Sequence, residues 1–291
     1  MKLAKLISTN SSIYILLSIA MVSWAIAWTN AKIVGEYLSF YNLIFLRFLL
    51  GFISLLPFLI YYYKNLPDFK KYKYIIIPSI LFFIYNIAFF KGTYFGQAGR
   101  GAILVTTLNP LFTLLIMSFL RKKILSKEIF GIILGLFGGL MIMDVFKSGF
   151  NSILDIKNIY FVICAITWGI ITVFIDTAQK KINSYVFIGL CYFFTMIISF
   201  FYTDFNTVEL SKLDIRFYFN FFLVSIGAMS FGTSVYMYST SIIGPVKASV
   251  FIFSVPFLAM GTSFIFLDEA FTINTIIGGL ISLLAIYIVN K

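Results

Sequence analysis

Ten long apolar runs, separated by turns of a few polar, Gly or Pro residues, take up almost the whole of this sequence. They fall at about 12–31, 38–63, 73–94, 98–120, 127–146, 157–177, 183–203, 217–239, 245–267 and 271–289. An α-helix needs roughly 20 apolar residues to cross the hydrocarbon core of a bilayer. In lipid the backbone must satisfy its own hydrogen bonds, so only helices and closed barrels span it. These runs are continuous rather than alternating, which makes them helices. Ten spans use about 200 of the 291 residues and leave no room for a soluble domain. The composition agrees, with 61% hydrophobic and 11% charged residues and a mean hydropathy of +1.00. A soluble domain carries about 45–50% apolar and about 25% charged residues. The expected fold class is an all-α integral membrane protein whose first partner is the lipid bilayer.

Several function classes fall away. The chain has no His, so neither a His-ligated metal site nor a Ser-His-Asp triad can be built. Cys164 and Cys191 both sit inside apolar runs and make neither a disulfide framework nor a four-cysteine zinc site. No metal and no cofactor is expected. A net charge of +11 would suggest nucleic acid in a soluble protein, but its placement points to membrane topology instead. With the N-terminus in the cytoplasm, the cytoplasmic segments hold 14 cations against Asp68, Glu128 and Asp176, and the other side holds six cations against eight acids. That is the positive-inside bias, and it puts both termini in the cytoplasm. Lys2 and Lys5 ahead of an apolar stretch could mark a signal peptide. Trp24 and Trp28 flank the Ala25-Ile26-Ala27 tripeptide and spoil it as a cleavage site, so a retained first helix is expected.

The chain also resembles itself. Ser23-Trp24-Ala25 in the first span matches Thr167-Trp168-Gly169 in the sixth, and Pro110 in the fourth matches Pro256 in the ninth, 146 residues on. Fifteen residues after each proline, Leu125-Ser126 and Phe271-Thr272 open a Gly-rich last span. The expected domains are therefore two five-helix repeats, 1–147 and 148–291. An odd number of spans inverts the second relative to the first, which is a plan of secondary transporters.

With these residues in place, the whole chain resembles the EamA-type transporters of the drug/metabolite transporter superfamily. The resemblance rests on Arg47 within Leu46-Arg47-Phe48-Leu49-Leu50, on Pro110, on Ala248-Ser249 opening the ninth span, and on Pro256, Asp268-Glu269 and Gly278. The family's acid before the last span of each half is kept as Glu269, whereas Lys123 stands at the equivalent place in the first half, and Cys191 is the counterpart of Arg47. The resemblance implies ten helices in two inverted halves around a central cavity, moving small metabolites, often amino acids and often outward, by alternating access.

Polar groups near the membrane midplane are costly and tend to be functional. Lys91, in Ala88-Phe89-Phe90-Lys91-Gly92, either snorkels to the interface or lines the cavity and offers a cation to a carboxylate or phosphate. Asn86 lies about one turn before it and is expected on roughly the same face. Arg47 is read as a structural cation pairing with helix C-terminal carbonyls. Arg100 and Lys247 open the fourth and ninth spans as anchors or gating residues. Asn109 beside Pro110, and Ser254 beside Pro256, mark places where a proline removes a backbone donor and opens the helix. Trp24 and Trp168, related by the repeat and deep in their spans, suit a cavity wall, with Tyr85 and Tyr236 beside them. Gly135 and Gly139 form a small-xxx-small pattern. With Gly278 and Gly279 they are expected as packing elements that a homodimer seam could use.

No Asp or Glu falls in the middle of a span, which speaks against proton-coupled export of organic cations. With Arg47 and Lys91 as the intramembrane charges, the expected cargo is a small zwitterionic or anionic metabolite, amino-acid-like, moved by an exporter or facilitator. A flippase for a lipid or lipid-linked sugar is the alternative. An integral membrane enzyme has less behind it, because Asp204, Glu209, Lys212, Asp214 and Arg216 form the one polar loop of the needed kind. Usage heavy in Lys, Ile and Phe suits an AT-rich bacterial genome, and the expected location is the bacterial inner membrane.

Overall fold

A computed structural model describes residues 10–120, 123–145, 149, 158–267 and 272–291. Among them are ten helices: α1 Asn10–Val34, α2 Phe40–Tyr61, α3 Lys73–Phe95, α4 Ala98–Phe119, α5 Ser126–Ile142, α6 Ile159–Gln179, α7 Ser184–Phe200, α8 Ile215–Ile243, α9 running from Pro245 to Leu267, and α10 Ile273–Asn290. Eight are at least 18 residues long and apolar enough to span a bilayer; α7 is a shorter apolar helix of 17 residues. The ten expected spans are all present as helices. The expected repeat boundary at 147/148, together with Lys147, Lys157 and the Asp268-Glu269 pair, lies outside the described residues.

Local chemistry sets the ends. Ser39, Asn183, Asp214 and Thr272 precede α2, α7, α8 and α10, and each side chain accepts a backbone N–H of the first turn, the usual satisfaction of orphan helix donors. Glu128 reaches back to the Leu125 N–H at 2.8 Å at the start of α5. Between α8 and α9 the chain reverses at Gly244, whose φ of +88° is left-handed backbone that glycine adopts without strain. Pro245 follows at the first position of α9, where its missing N–H costs nothing.

The packing partners obey a pseudo-twofold rule. Helix α1 packs on α8 and α9, and its repeat-mate α6 packs on α3 and α4. Helix α2 lies against α7 and α8, and α7 against α2 and α3. Helix α5 meets its own mate α10, and α4 meets α9. Exchanging the halves leaves this scheme unchanged, so the two five-helix repeats interlock face to face. Buried residues such as Leu17, Phe48, Phe82, Ile171 and Phe187 fill the centre, while Ile15, Ile53, Ile133 and Leu280 face outward. Exposed apolar side chains are what a bilayer, unlike water, accommodates.

The glycine-rich spans form the seam between the halves. A Cβ on Gly138 would lie 2.7 Å from the Gly278 carbonyl oxygen, and one on Gly278 would lie 2.5 Å from that of Gly138. Gly135 accommodates the Phe253 ring, Gly139 the Thr107 side chain, and Gly279 the Phe257 ring. These glycines are spent on contacts within one chain. They are packing elements between the two halves, with atoms of the same molecule filling the space beside them.

Candidate functional site

Near the middle of the bundle, α1, α2, α3, α4, α6, α8 and α9 surround a narrow cavity of about 50 Å³. Trp24, Trp28, Tyr85, Phe89 and Trp168 make most of its wall aromatic, and Arg47, Thr106, Asn109 and Thr233 supply the polar atoms. The indoles of Trp24 and Trp168 meet edge to face, 5.1 Å between ring centroids, a favoured geometry for aromatic pairs. Tyr85 lies 4.9 Å from Trp168 and Trp28 lies 4.8 Å from Phe89.

Arg47 is 6% exposed. Its Nε donates to the Val224 carbonyl at 3.0 Å and its Nη1 to Asn86 Oδ1 at 2.7 Å. Asn86 is itself held by donating Nδ2 to the Phe82 carbonyl at 2.8 Å. The guanidinium also lies over the faces of Phe89 and Phe90, at 5.4 and 5.8 Å from their centroids, a cation–π arrangement that strengthens when water is excluded. All these partners are neutral. Among the described residues no carboxylate lies within ion-pair distance of Arg47, so none of them offsets its positive charge.

Helix α8 supports this charge through an unusual backbone. Its middle, Leu223–Thr233, is π-helical, and π segments tend to occur at functional sites. Beyond Arg47 on Val224, the Trp24 N–H donates to the Ala228 carbonyl at 3.0 Å and the Tyr192 hydroxyl to the Met229 carbonyl at 2.7 Å. Three side chains from α1, α2 and α7 thus pin the wide turns. The repeat-mate of Trp24 differs: the Trp168 N–H is buried and finds no acceptor in hydrogen-bond geometry.

The prolines act differently from each other. Pro110 lies inside an unbroken α-helix, so the Thr106 carbonyl, four residues earlier, loses its helical donor. Thr106 lines the cavity. Ahead of Pro256, α9 tightens into a 3₁₀ turn at Phe251–Ser254, and the Val255 N–H satisfies the Ile252 carbonyl. The two prolines therefore differ: Pro110 leaves the helix continuous but the Thr106 carbonyl without its helical donor, while the carbonyl left by Pro256 is compensated by the tighter turn.

Several expected site residues sit elsewhere. Lys91 is half-buried and is not part of the cavity wall. Five residues along an α-helix rotate a side chain by about 140°, so Asn86 and Lys91 diverge rather than share a face. Asn86 stands behind Arg47. Tyr236 is fully buried and backs the wall, 5.1 Å from Trp24 and 5.8 Å from Trp168, with its hydroxyl 3.0 Å from Thr172 Oγ1. Ser254 bonds the Phe251 carbonyl and faces a groove on the other side of α9. Arg100 is exposed and Lys247 half-buried in the first turns of α4 and α9, and neither lines the cavity. Arg47, read as structural from the sequence, is in the wall as well as bonded to a carbonyl; that carbonyl belongs to a π segment, not a helix end.

A ten-helix membrane bundle of interlocked inverted halves, with its polar and aromatic recess at mid-depth, has the architecture of a secondary transporter. The EamA-like transporter family matches residues 11–144 and 156–291, and the chain belongs to that family. The uncharacterized transporter YoaV of Bacillus subtilis (strain 168) is 25% identical over 277 residues, 91% of this chain and 92% of that protein. A solved crystal structure that is 16% identical shares the fold, with a TM-score of 0.73 and 97% of each chain covered.

Proposed function

We propose that this protein is a secondary transporter that carries a small zwitterionic or anionic, amino-acid-like metabolite across a bacterial inner membrane by alternating access. In this reading both termini are cytoplasmic, and residues 1–147 and 148–291 are the two repeats that rock against each other. The observation that carries it is Arg47, a buried cation in the wall of a cavity whose described lining holds no acid. A cargo carboxylate supplies the missing counter-charge. Hydrogen bonds to a charged group contribute about 1.5–3 kcal/mol each, enough for selection among metabolites. The Thr106 carbonyl freed by Pro110, and Asn109, supply acceptors for a cargo ammonium, while the indole walls cover its apolar part.

Efflux from proteoliposomes loaded with amino acids, nucleotides and organic anions, read by mass spectrometry, tests the reading. Release of one carboxylate-bearing class, lost in Arg47→Gln, is the expected result. Equal release of organic cations and anions, or full activity in Arg47→Gln, would overturn it.

A further inference from the structure

The central cavity is smaller than the cargo that the transport reading assigns to it. A cavity of about 150 Å³ takes benzene, whereas this one measures about 50 Å³. A buried water needs roughly 10–15 Å³, so the space suits a small ion with little else beside it. An amino-acid-like cargo enters only when the aromatic walls part.

What lines that space calls for an anion. Arg47 is always charged, is 6% exposed, and spends Nε and Nη1 on neutral oxygens. Its Nη2 makes no bond to any described residue. Asn109 is 1% exposed and accepts from Thr113 Oγ1 at 3.5 Å through its Oδ1. Its Nδ2 has no partner among the described residues. Two open donors, one of them charged, therefore line one small cavity. A charge buried without a counter-charge is far more costly than a buried pair. A cation at the Thr106 carbonyl would share the cavity with the guanidinium and be repelled by it.

We propose that between transport events this cavity binds one small monovalent anion of halide size, held by Arg47 Nη2 and Asn109 Nδ2. A single charge matches the single guanidinium, and the volume favours a one-atom ion over a larger oxyanion. The anion offsets Arg47 while cargo is away and has to leave before a cargo carboxylate can take its place. The site stands on the cavity itself; only this competition rests on the carboxylate cargo proposed above.

All three tryptophans of the chain, Trp24, Trp28 and Trp168, line the cavity, so the protein's own fluorescence reports on it. Iodide and caesium both quench indole emission on contact, with opposite charge. Titration of the purified full chain with iodide at constant ionic strength should give quenching that saturates in the millimolar range, the scale of two charge-assisted hydrogen bonds. Chloride should relieve it, and caesium should not reproduce it. Asn109→Asp sets a carboxylate beside Arg47 in place of an amide of the same size, and should raise the half-saturating iodide by about tenfold or more. Arg47→Gln should lose saturation altogether. Quenching that rises linearly with iodide in the unaltered chain, that caesium matches, or that Asn109→Asp leaves unchanged would overturn the proposal. Saturable iodide quenching in a chain that releases no carboxylate from proteoliposomes would leave the anion site standing and overturn the transport reading. Carboxylate release that depends on Arg47, without saturable quenching, would do the reverse.

Discussion

Arg47 and Asn86 form a pair in which a neutral amide steers a charge without cancelling it. An acid in place of the amide would make the same hydrogen bond and neutralise the site. Asn86→Asp is therefore expected to leave folding intact, or to raise thermal stability, while weakening carboxylate cargo by about 10–100-fold, the loss of one charge-assisted interaction. Binding of the cargo to purified Asn86→Asp checks this, and unchanged affinity would mean that Arg47 serves structure alone. A simple loss of packing would lower stability and affinity together, so the two readings separate. Part of this site was legible from spacing. Trp28 follows Trp24, Phe89 follows Tyr85, and Asn109 follows Val105, each by four residues, which places each pair on one helix face. Thr106 stands four before Pro110 and could have been found by the same count. Lys91 drew attention because a charge within an apolar run is conspicuous, yet a single sequence does not say which way a helix face turns.

At the scale of the element, the sequence of α8 reads as one apolar span, and its π segment is not legible there. The pattern Leu223–Thr233 is apolar with scattered Ser and Gly, as either helix type would be. What distinguishes it is tertiary, namely the donors arriving from Arg47, Trp24 and Tyr192. A cargo carboxylate on Arg47 would compete with the Val224 carbonyl for the same guanidinium. Docking of cargo would then release one of the three clamps on α8, linking occupancy to a change in that helix. Trp24→Phe removes a second clamp while keeping an aromatic wall. Amides of residues 223–233 are expected to exchange hydrogen faster in Trp24→Phe than in the unaltered chain, and faster again with cargo bound. Exchange confined to the helix ends in both proteins would show that the π turns are held by packing and not by these bonds.

The whole molecule is where the sequence spoke most clearly, because ten spans and an inverted duplication follow from hydrophobic run length and from the recurrence of Trp24 with Trp168 and Pro110 with Pro256. Duplication does not reveal which helices become the seam, and the α5–α10 contact emerges only when both halves are assembled. Gly278→Ala would press a methyl against the Gly138 carbonyl, where backbone cannot yield, and should cost about 1–3 kcal/mol, read as earlier thermal unfolding in detergent. The same bundle bears on energetics of transport. Among the described residues, no Asp or Glu lines the central cavity, and the acids nearest the helix ends are engaged locally, as Asp176 is by Lys180 at 2.8 Å. A proton carried with cargo needs a group that binds it on one side and releases it on the other, and Arg47 keeps its proton throughout. Cargo movement is therefore expected not to follow a proton gradient. In proteoliposomes the initial efflux rate is expected to stay within about twofold when a proton gradient is imposed or collapsed with an ionophore, while external cargo speeds exit of labelled cargo by exchange. A rate that follows the proton gradient would place a titrating acid in the transport path, and Glu269, ahead of the last span, would be the first residue to replace with Gln.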